Sequence, residues 1–245
     1  EFGNDGHAEA MRAALREAGV DVSRCGRSAE LPTGQGLVLL TPDGAASSVV
    51  VAGANSGWTV ARAEELAPLV TGASAVLLQR EIPEEANEAI ARLCAAAGVP
   101  VLQDVGGEDR PISDHLLRLV TYLCPNETEL ERLAGMPVCD EAQAIAAAKS
   151  LQARGARGVL VTLGEGGSLL LTAEGQVVRQ PALPVPGGRV LDATGAGDSF
   201  RAAFAVALTE GLPLEQCMRF AAAAGAVAVS ARGALRGGEV TTGAW

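Results

Sequence analysis

Lysine is almost missing from this 245-residue chain; its one example is Lys149, set in Ala-Ala-Lys-Ser. A phosphate loop of the Gly-x-x-x-x-Gly-Lys-Ser/Thr type needs a lysine behind its glycines, so that class of nucleotidase is excluded. Histidine is nearly as scarce: His7 and His115 both lie in polar surroundings that read as surface. The five cysteines, Cys25, Cys94, Cys124, Cys139 and Cys217, are odd in number and form no Cys-x-x-Cys. This argues against a zinc site. Four of them lie in apolar or helical stretches and read as buried free thiols in a reducing compartment. Apolar runs such as 221–229 are well short of the ~20 residues a bilayer span needs, so no membrane is expected. Lys+Arg 19 against Asp+Glu 29 leaves a net charge of −10, which argues against a nucleic-acid binder but not against a nucleotide substrate. Aromatic residues, at 3%, are too few for an aromatic-rich β-sandwich. The sequence starts without methionine and shows no targeting segment; Glu1 to Asp5 read as the middle of a helix, as in a piece of a longer chain.

What is present suits a folded α/β protein. Apolar residues make up 48% and charged residues 20%, enough to bury a core, and the length allows one large domain or one domain with a small appendage. An amphipathic helix is expected over 8–18, stopped by Gly19. Two β-like runs, 36–41 and 47–52, flank Pro42-Asp43-Gly44, the signal of a hairpin. From there strands and helices alternate. Helices are expected at 60–70, 83–97, near 126–134, and at 140–154, 198–209 and 214–230; strands at 75–79, 99–104, 120–124, 158–162 and 168–172. That alternation implies βαβ units and a mainly parallel sheet, with ligands at the carboxyl ends of strands. The hairpin breaks the rhythm and reads as a small lid or clasp.

Four segments could carry chemistry. Asp192-Ala-Thr-Gly-Ala-Gly-Asp198-Ser-Phe is a glycine-rich turn opening an apolar helix. First-turn amides are unpaired donors at the positive end of the helix dipole, and glycines let an anion approach them. Asp198 reads either as a general base beside that anion or as a simple N-cap. Pro125-Asn126-Glu127-Thr128-Glu129 has capping-box spacing, yet Asn126 and Glu129 could also order Mg²⁺ and phosphates. Thr162-Leu-Gly164-Glu-Gly166-Gly167 is either a turn between strands or a backbone rim for a nucleotide. Gln79-Arg80-Glu81-Ile82-Pro83 offers a carboxylate for sugar hydroxyls, or only solvated charge before a helix. Asn55 and Asp104 end strands and read as turn or cap residues. Ala221–Ala224 reads as close helix packing.

Taken together these blocks resemble the ribokinase family of sugar kinases, also called the phosphofructokinase-B type. The stretch 192–200 is similar to the family's carboxyl-terminal signature, Asp-Thr-x-Gly-Ala-Gly-Asp, and Asn-Glu-Thr-Glu at 126–129 and Thr-Leu-Gly at 162–164 follow in the family's order. Within the family, Thr33-Gly34, Gly53-Ala-Asn55 and Leu78 to Pro83 are more similar to the ribokinase branch than to fructokinases or adenosine kinases. Asp104-Val-Gly-Gly107 is most similar to plant and green-algal forms. The resemblance implies a three-layer α/β core over 1–245, with 31–55 as a partial β-hairpin lid. It implies ATP-dependent phosphorylation of D-ribose to ribose 5-phosphate, with another family sugar, a nucleoside, or a non-catalytic nucleotide-binding remnant as alternatives. By the same resemblance Asp198 is the base, and the amides of Gly195, Ala196 and Gly197 form the anion hole. Asn126 and the run Thr162, Leu163, Gly164, Glu165, Gly166 and Gly167, with Gly197, border the nucleotide. Glu81 and Asp198 meet the sugar, and Glu129 acts on Mg²⁺ indirectly. Asp192, Thr194, Ala228, Ala231 and Gly233 match the positions of a monovalent-cation site, taken by K⁺. The family's amino-terminal Asn-x-Asp strand, its Gly-Gly-Lys-Gly-Ala-Asn-like segment and half of its lid have no counterpart here. The resemblance allows a homodimer through the lid, and a cytoplasmic or plastid location.

Overall fold

The computed structural model describes residues 1–40, 46–106, 110–231 and 233, the side chains of 38–40 and 46–48 excepted. The turn expected at Pro42-Asp43-Gly44, Gly107 and the carboxyl-terminal 237–245 lie outside the described residues. The chain divides into two compact units.

The first unit comprises Glu1–Ala67 and Arg80–Ile90. Its helix α1 (Gly6–Glu17) starts at an extended Asp5, whose carboxylate accepts from the Ala8 amide. The same carboxylate accepts from the Thr33 amide at 2.7 Å and the Thr33 hydroxyl at 2.8 Å. The cap ends the helix there, so Glu1 to Asp5 are not mid-helical as expected; Phe2 instead forms a bridge to Arg27. Strand β1 (Gln35–Leu40) pairs antiparallel with β2 (Ala46–Val51), Gln35 opposite Val51. A single turn of 3₁₀ helix follows at Gly53–Gly57. Gly53 has φ +52, and a Cβ there would lie 2.4 Å from the Pro32 carbonyl oxygen, so no other residue fits. The helix expected over 60–70 is two, α2 (Val60–Glu65) and α3 (Ala67–Thr71), with the break at Leu66; Pro68 has no N–H to donate back across it.

The second unit holds a six-stranded sheet. Strands β3 (Val76–Leu78), β4 (Val101–Asp104), β5 (Tyr122–Cys124) and β6 (Gly158–Thr162) run parallel. Strands β7 (Ser168–Leu171) and β8 (Val177–Gln180) complete it antiparallel. The mainly parallel α/β sheet is therefore as expected. Helix α4 (Glu84–Ala97) leads into β4. Two further elements were not foreseen: β8, whose only apolar pair is Val177-Val178, and the short α5 (Asp114–Leu119), opened by a Ser113 cap. Helices α6 (Glu127–Ala134) and α7 (Glu141–Arg154) follow, then α8 (Ala196–Thr209) and α9 (Leu214–Ala228).

Period-two alternation sends neighbouring residues to opposite sheet faces. Leu102, Cys124, Leu160 and Leu170 pack against Phe200, Phe204, Cys217, Met218 and Ala221, which seats the α8–α9 pair on one face. Phe204 meets Tyr122 edge-on, with ring centroids 5.4 Å apart at 82°. The intervening Val159, Val161, Leu169 and Leu171 are also buried, and α7 packs on β6 and β7. Three layers result. Ala221, Ala223 and Ala224 are buried, so that stretch serves helix packing. Three cysteines, Cys94, Cys124 and Cys217, are buried as expected; Cys25 is half-buried and Cys139 is exposed. The parallel strands end along one edge, and that edge presents Asp104, Asn126 and Thr162.

Candidate active site

Helix α8 begins at Gly195, a residue with φ +78 that only glycine adopts without strain. Asp198 is therefore not the N-cap that a lone helix start would suggest; it stands inside the first turn and is 75% exposed. The Ala196 amide donates to the Ala193 carbonyl at 3.2 Å, so it is spent within the turn. Among the described residues the amides of Gly195, Gly197 and Asp198 have no acceptor. Of the three amides read as an anion hole, two are open, and the Asp198 amide joins them.

At the end of β5, Asn126 caps α6 through a complete capping box. Its side chain accepts from the Glu129 amide at 2.9 Å, and Glu129 Oε2 accepts from the Asn126 amide at 2.8 Å. The capping reading is thus correct, and it uses Oε2 of Glu129. The other, Oε1, faces Gly106, where a Cβ would stand 3.0 Å from it. Asn126 also bridges Thr162 at the end of β6, and the Thr162 amide donates to the Pro125 carbonyl at 3.1 Å. The turn Leu163 to Gly167 is pinned by Leu163 donating to the Gly167 carbonyl at 2.8 Å. Gly167 has φ +90 and ψ −127. The segment is a turn between the antiparallel strands β6 and β7, with Gly164, Glu165 and Gly166 exposed.

Asp104, at the end of β4, was expected to be a turn residue. It is one, accepting from the Gly106 amide at 3.1 Å. It also does something the sequence did not reveal. Its Oδ2 lies 2.5 Å from Nη2 of Arg201, and both side chains are only 13% exposed. The same Nη2 lies 3.0 Å from Oδ1 of Asp198. Removing one partner from a pair this buried typically costs about 3–5 kcal/mol. Asp104, Glu129 and Arg201 all act on the Cys124 thiol, which burial pushes up to about 12. That cysteine is a protonated core residue, with no role as a nucleophile. The available sequence signal was the lone arginine in an otherwise apolar helix, three residues after Asp198.

Asp192 ties two loops together: Oδ1 accepts from Thr194 at 2.9 Å and Oδ2 from Gly233 at 3.0 Å. Leu191 and Asp192 both donate to the Val229 carbonyl. Of the residues matched to a cation site, Asp192 and Thr194 lie on one loop, Ala228 is the last residue of α9, and Ala231 and Gly233 follow it, with Asp192 bonded to Gly233. The Ala228 carbonyl already accepts from Ala231 at 3.4 Å. Glu81 is exposed and belongs to the first unit. Among the described residues no three His, Cys, Asp or Glu side chains form a metal cage.

Residues 1–239 match the pfkB family carbohydrate kinases. The chain belongs to that family. It is 42% identical over 237 residues to ribokinase of Arabidopsis thaliana, covering 96% of this chain and 62% of that protein. Ribokinase of Bacillus subtilis is 33% identical over 237 residues, 97% of this chain and 76% of that one. Among solved structures, Arabidopsis thaliana ribokinase complexed with ribose and ATP superposes with a TM-score of 0.91 at 41% identity, covering 96% of this chain and 76% of that chain. Ribokinase of Thermotoga maritima follows the same fold with a TM-score of 0.77 at 29% identity, covering 96% and 75%. In this family member no described helix is long and apolar enough to cross a membrane.

Proposed function

We propose that this pfkB-family chain carries the phosphotransfer core of a ribokinase, moving the γ-phosphoryl of ATP to the O5 hydroxyl of D-ribose. One observation carries the reading: an exposed carboxylate, Asp198, shares the first turn of α8 with the open amides of Gly195 and Gly197. Phosphoryl transfer asks for in-line placement and charge stabilisation more than covalent help. The amides stabilise the transferring group, and Asp198 accepts the hydroxyl proton as the oxygen attacks. Asn126 and the Thr162–Gly167 turn border the nucleotide, and Glu81 contacts the sugar. Mg²⁺, when bound with ATP, neutralises phosphate charge; Glu129 orders its waters. K⁺ is the proposed occupant of the 192–194 and 228–233 loops. Similarity to the ribokinase solved with ribose and ATP supports the choice of substrates.

The experiment is ADP release by this chain with ATP, Mg²⁺, K⁺ and ribose, against a no-ribose control. Ribose-dependent ADP is expected, with Asp198→Asn at least ~10²-fold slower in kcat and nearly unchanged in ATP affinity. A variant within a few-fold of wild type removes Asp198 as the base. Equal rates with K⁺ replaced by tetramethylammonium remove the cation site. A homodimer through the β1–β2 hairpin is part of the same proposal: Leu37, Val49, Val50 and Val51 are each more than half exposed there. Sedimentation at micromolar concentration should give twice the monomer mass; a pure monomer sinks that assembly.

A further inference from the structure

The fourteen residues of α8, Ala-Gly-Asp-Ser-Phe-Arg-Ala-Ala-Phe-Ala-Val-Ala-Leu-Thr, hold a single cation, Arg201. A cation in the early part of a helix sits toward the wrong end of the dipole. Burying it to 13% exposure adds a desolvation cost. Something must hold it there, and two carboxylates do. Asp104, equally buried, grips Nη2 at 2.5 Å and is itself fixed by the Gly106 amide. Asp198 takes the same nitrogen at 3.0 Å.

The two contacts differ in what they accomplish. The Asp104 pair fastens the end of β4 to α8. The Asp198 pair does little for the fold, because an ion pair with one partner 75% exposed is worth little. What it does is fix the rotamer of an otherwise free carboxylate. Oδ1 is occupied, while Oδ2 has no partner among the described residues. Gly197 makes room for this arrangement: a Cβ there would stand 3.1 Å and 3.2 Å from the two Nη atoms. The guanidinium thus lies against the residue whose open amide serves the anion.

Resting on the phosphotransfer reading above, we infer that Arg201 is a positioning residue for that reaction. Held by Asp104, it pins Oδ1 of Asp198 and leaves Oδ2 as the oxygen that receives the sugar hydroxyl's proton. Arg201 itself touches neither the sugar nor the transferred group in this role; it acts through Asp198.

The test is steady-state kinetics on wild type, Arg201→Met, Arg201→Lys, Asp198→Asn and the Arg201→Met/Asp198→Asn double variant, assayed well below the lowest Tm of the set. A misplacement of about 1 Å costs on the order of 10²-fold. Arg201→Met should therefore lose ~10²-fold in kcat with KM for ATP and ribose within a few-fold. Lysine keeps the charge but not the planar fork, so Arg201→Lys should fall between, with Tm close to wild type. It also carries the test alone if the methionine variant does not fold. The double variant should be no slower than Asp198→Asn, since groups acting as a unit are not additive. Overturning results are an Arg201→Lys or Arg201→Met kcat within threefold of wild type, a double variant slower by the product of the single losses, or a loss confined to KM for ATP. A wild-type chain without ribose-dependent turnover overturns the phosphotransfer reading and this role with it. An active wild type with an indifferent Arg201 overturns this role alone.

Discussion

Replacing Gly167 with alanine should be among the most damaging single-methyl additions to the second unit. The backbone there has φ +90 and ψ −127, a region essentially confined to glycine. Holding an alanine in such a conformation costs of order 1–3 kcal/mol by itself. The added Cβ would also come 2.2 Å from the Gln180 carbonyl oxygen, 2.6 Å from the Ala182 nitrogen and 2.8 Å from the Pro181 carbonyl carbon. All three are backbone atoms beside the β7–β8 pair, so no side chain can swing aside. Relief requires moving β8 or the turn, at a further cost of about 1–3 kcal/mol, typical of overpacking. The sum is roughly 2–6 kcal/mol, and at about 2–4 °C per kcal/mol for a chain of this size Tm should fall by roughly 4–24 °C. Gly166→Ala is the control: its Cβ would meet only the Leu163 side chain at 3.3 Å. Calorimetry on both variants reads the difference. A Gly167→Ala transition within 2 °C of wild type would refute the steric argument. Because the same turn borders the proposed nucleotide site, surviving folded protein should also show a raised KM for ATP.

Two further predictions address charge. Glu129→Gln retains a carbonyl oxygen able to accept from the Asn126 amide, so the capping box and Tm should persist. The Mg²⁺ concentration for half-maximal rate should rise, and an unchanged Mg²⁺ titration would confine Glu129 to capping. Hydrogen bonds from the Thr33 amide, the Ala8 amide and the Thr33 hydroxyl hold the Asp5 carboxyl at about 2, below its ordinary 3.8. A carboxyl depressed in the folded state stabilises above its ordinary value and loses that contribution as pH falls toward the folded one. The first unit should therefore weaken between about pH 4 and pH 2. Asp5→Asn should flatten that segment of a pH–Tm profile; a profile identical to wild type there would discard the linkage.

The sequence made local order legible and long-range pairing illegible. Runs of β-like residues, a Gly-rich turn before an apolar helix and capping-box spacing are all written within a few residues, and strands β1 and β2, helix α8 and the α6 cap stand where they were expected. The failures are equally physical. Helix 60–70 was read through Pro68, whose missing N–H leaves the helix broken at Leu66. Glu1 to Asp5 read as helix because the Asp5 cap is only evident once Thr33, far along the chain, completes its bonds. Strand β8 borrows its order from β7, Val177 to Gln180 pairing with Leu171 to Ser168, and carries little signal of its own.

The site follows the same rule. Asp198, Asn126 and Glu129 were visible because helix starts announce themselves in sequence. Asp104 and Arg201 were not, because neither segment names the other as its partner: an acidic residue ending a strand, and a lone arginine one turn after an aspartate. Their meaning arises only where β4 and α8 meet. Had Arg201 been a solvated helix charge, its guanidinium would have no reason to lie 2.5 Å from a carboxylate on a different element, beside a glycine that leaves it room. The charge pattern around the Gly195–Asp198 turn is therefore a property of the sheet edge as a whole. The carboxylate that the motif singles out is oriented by two residues the motif does not contain.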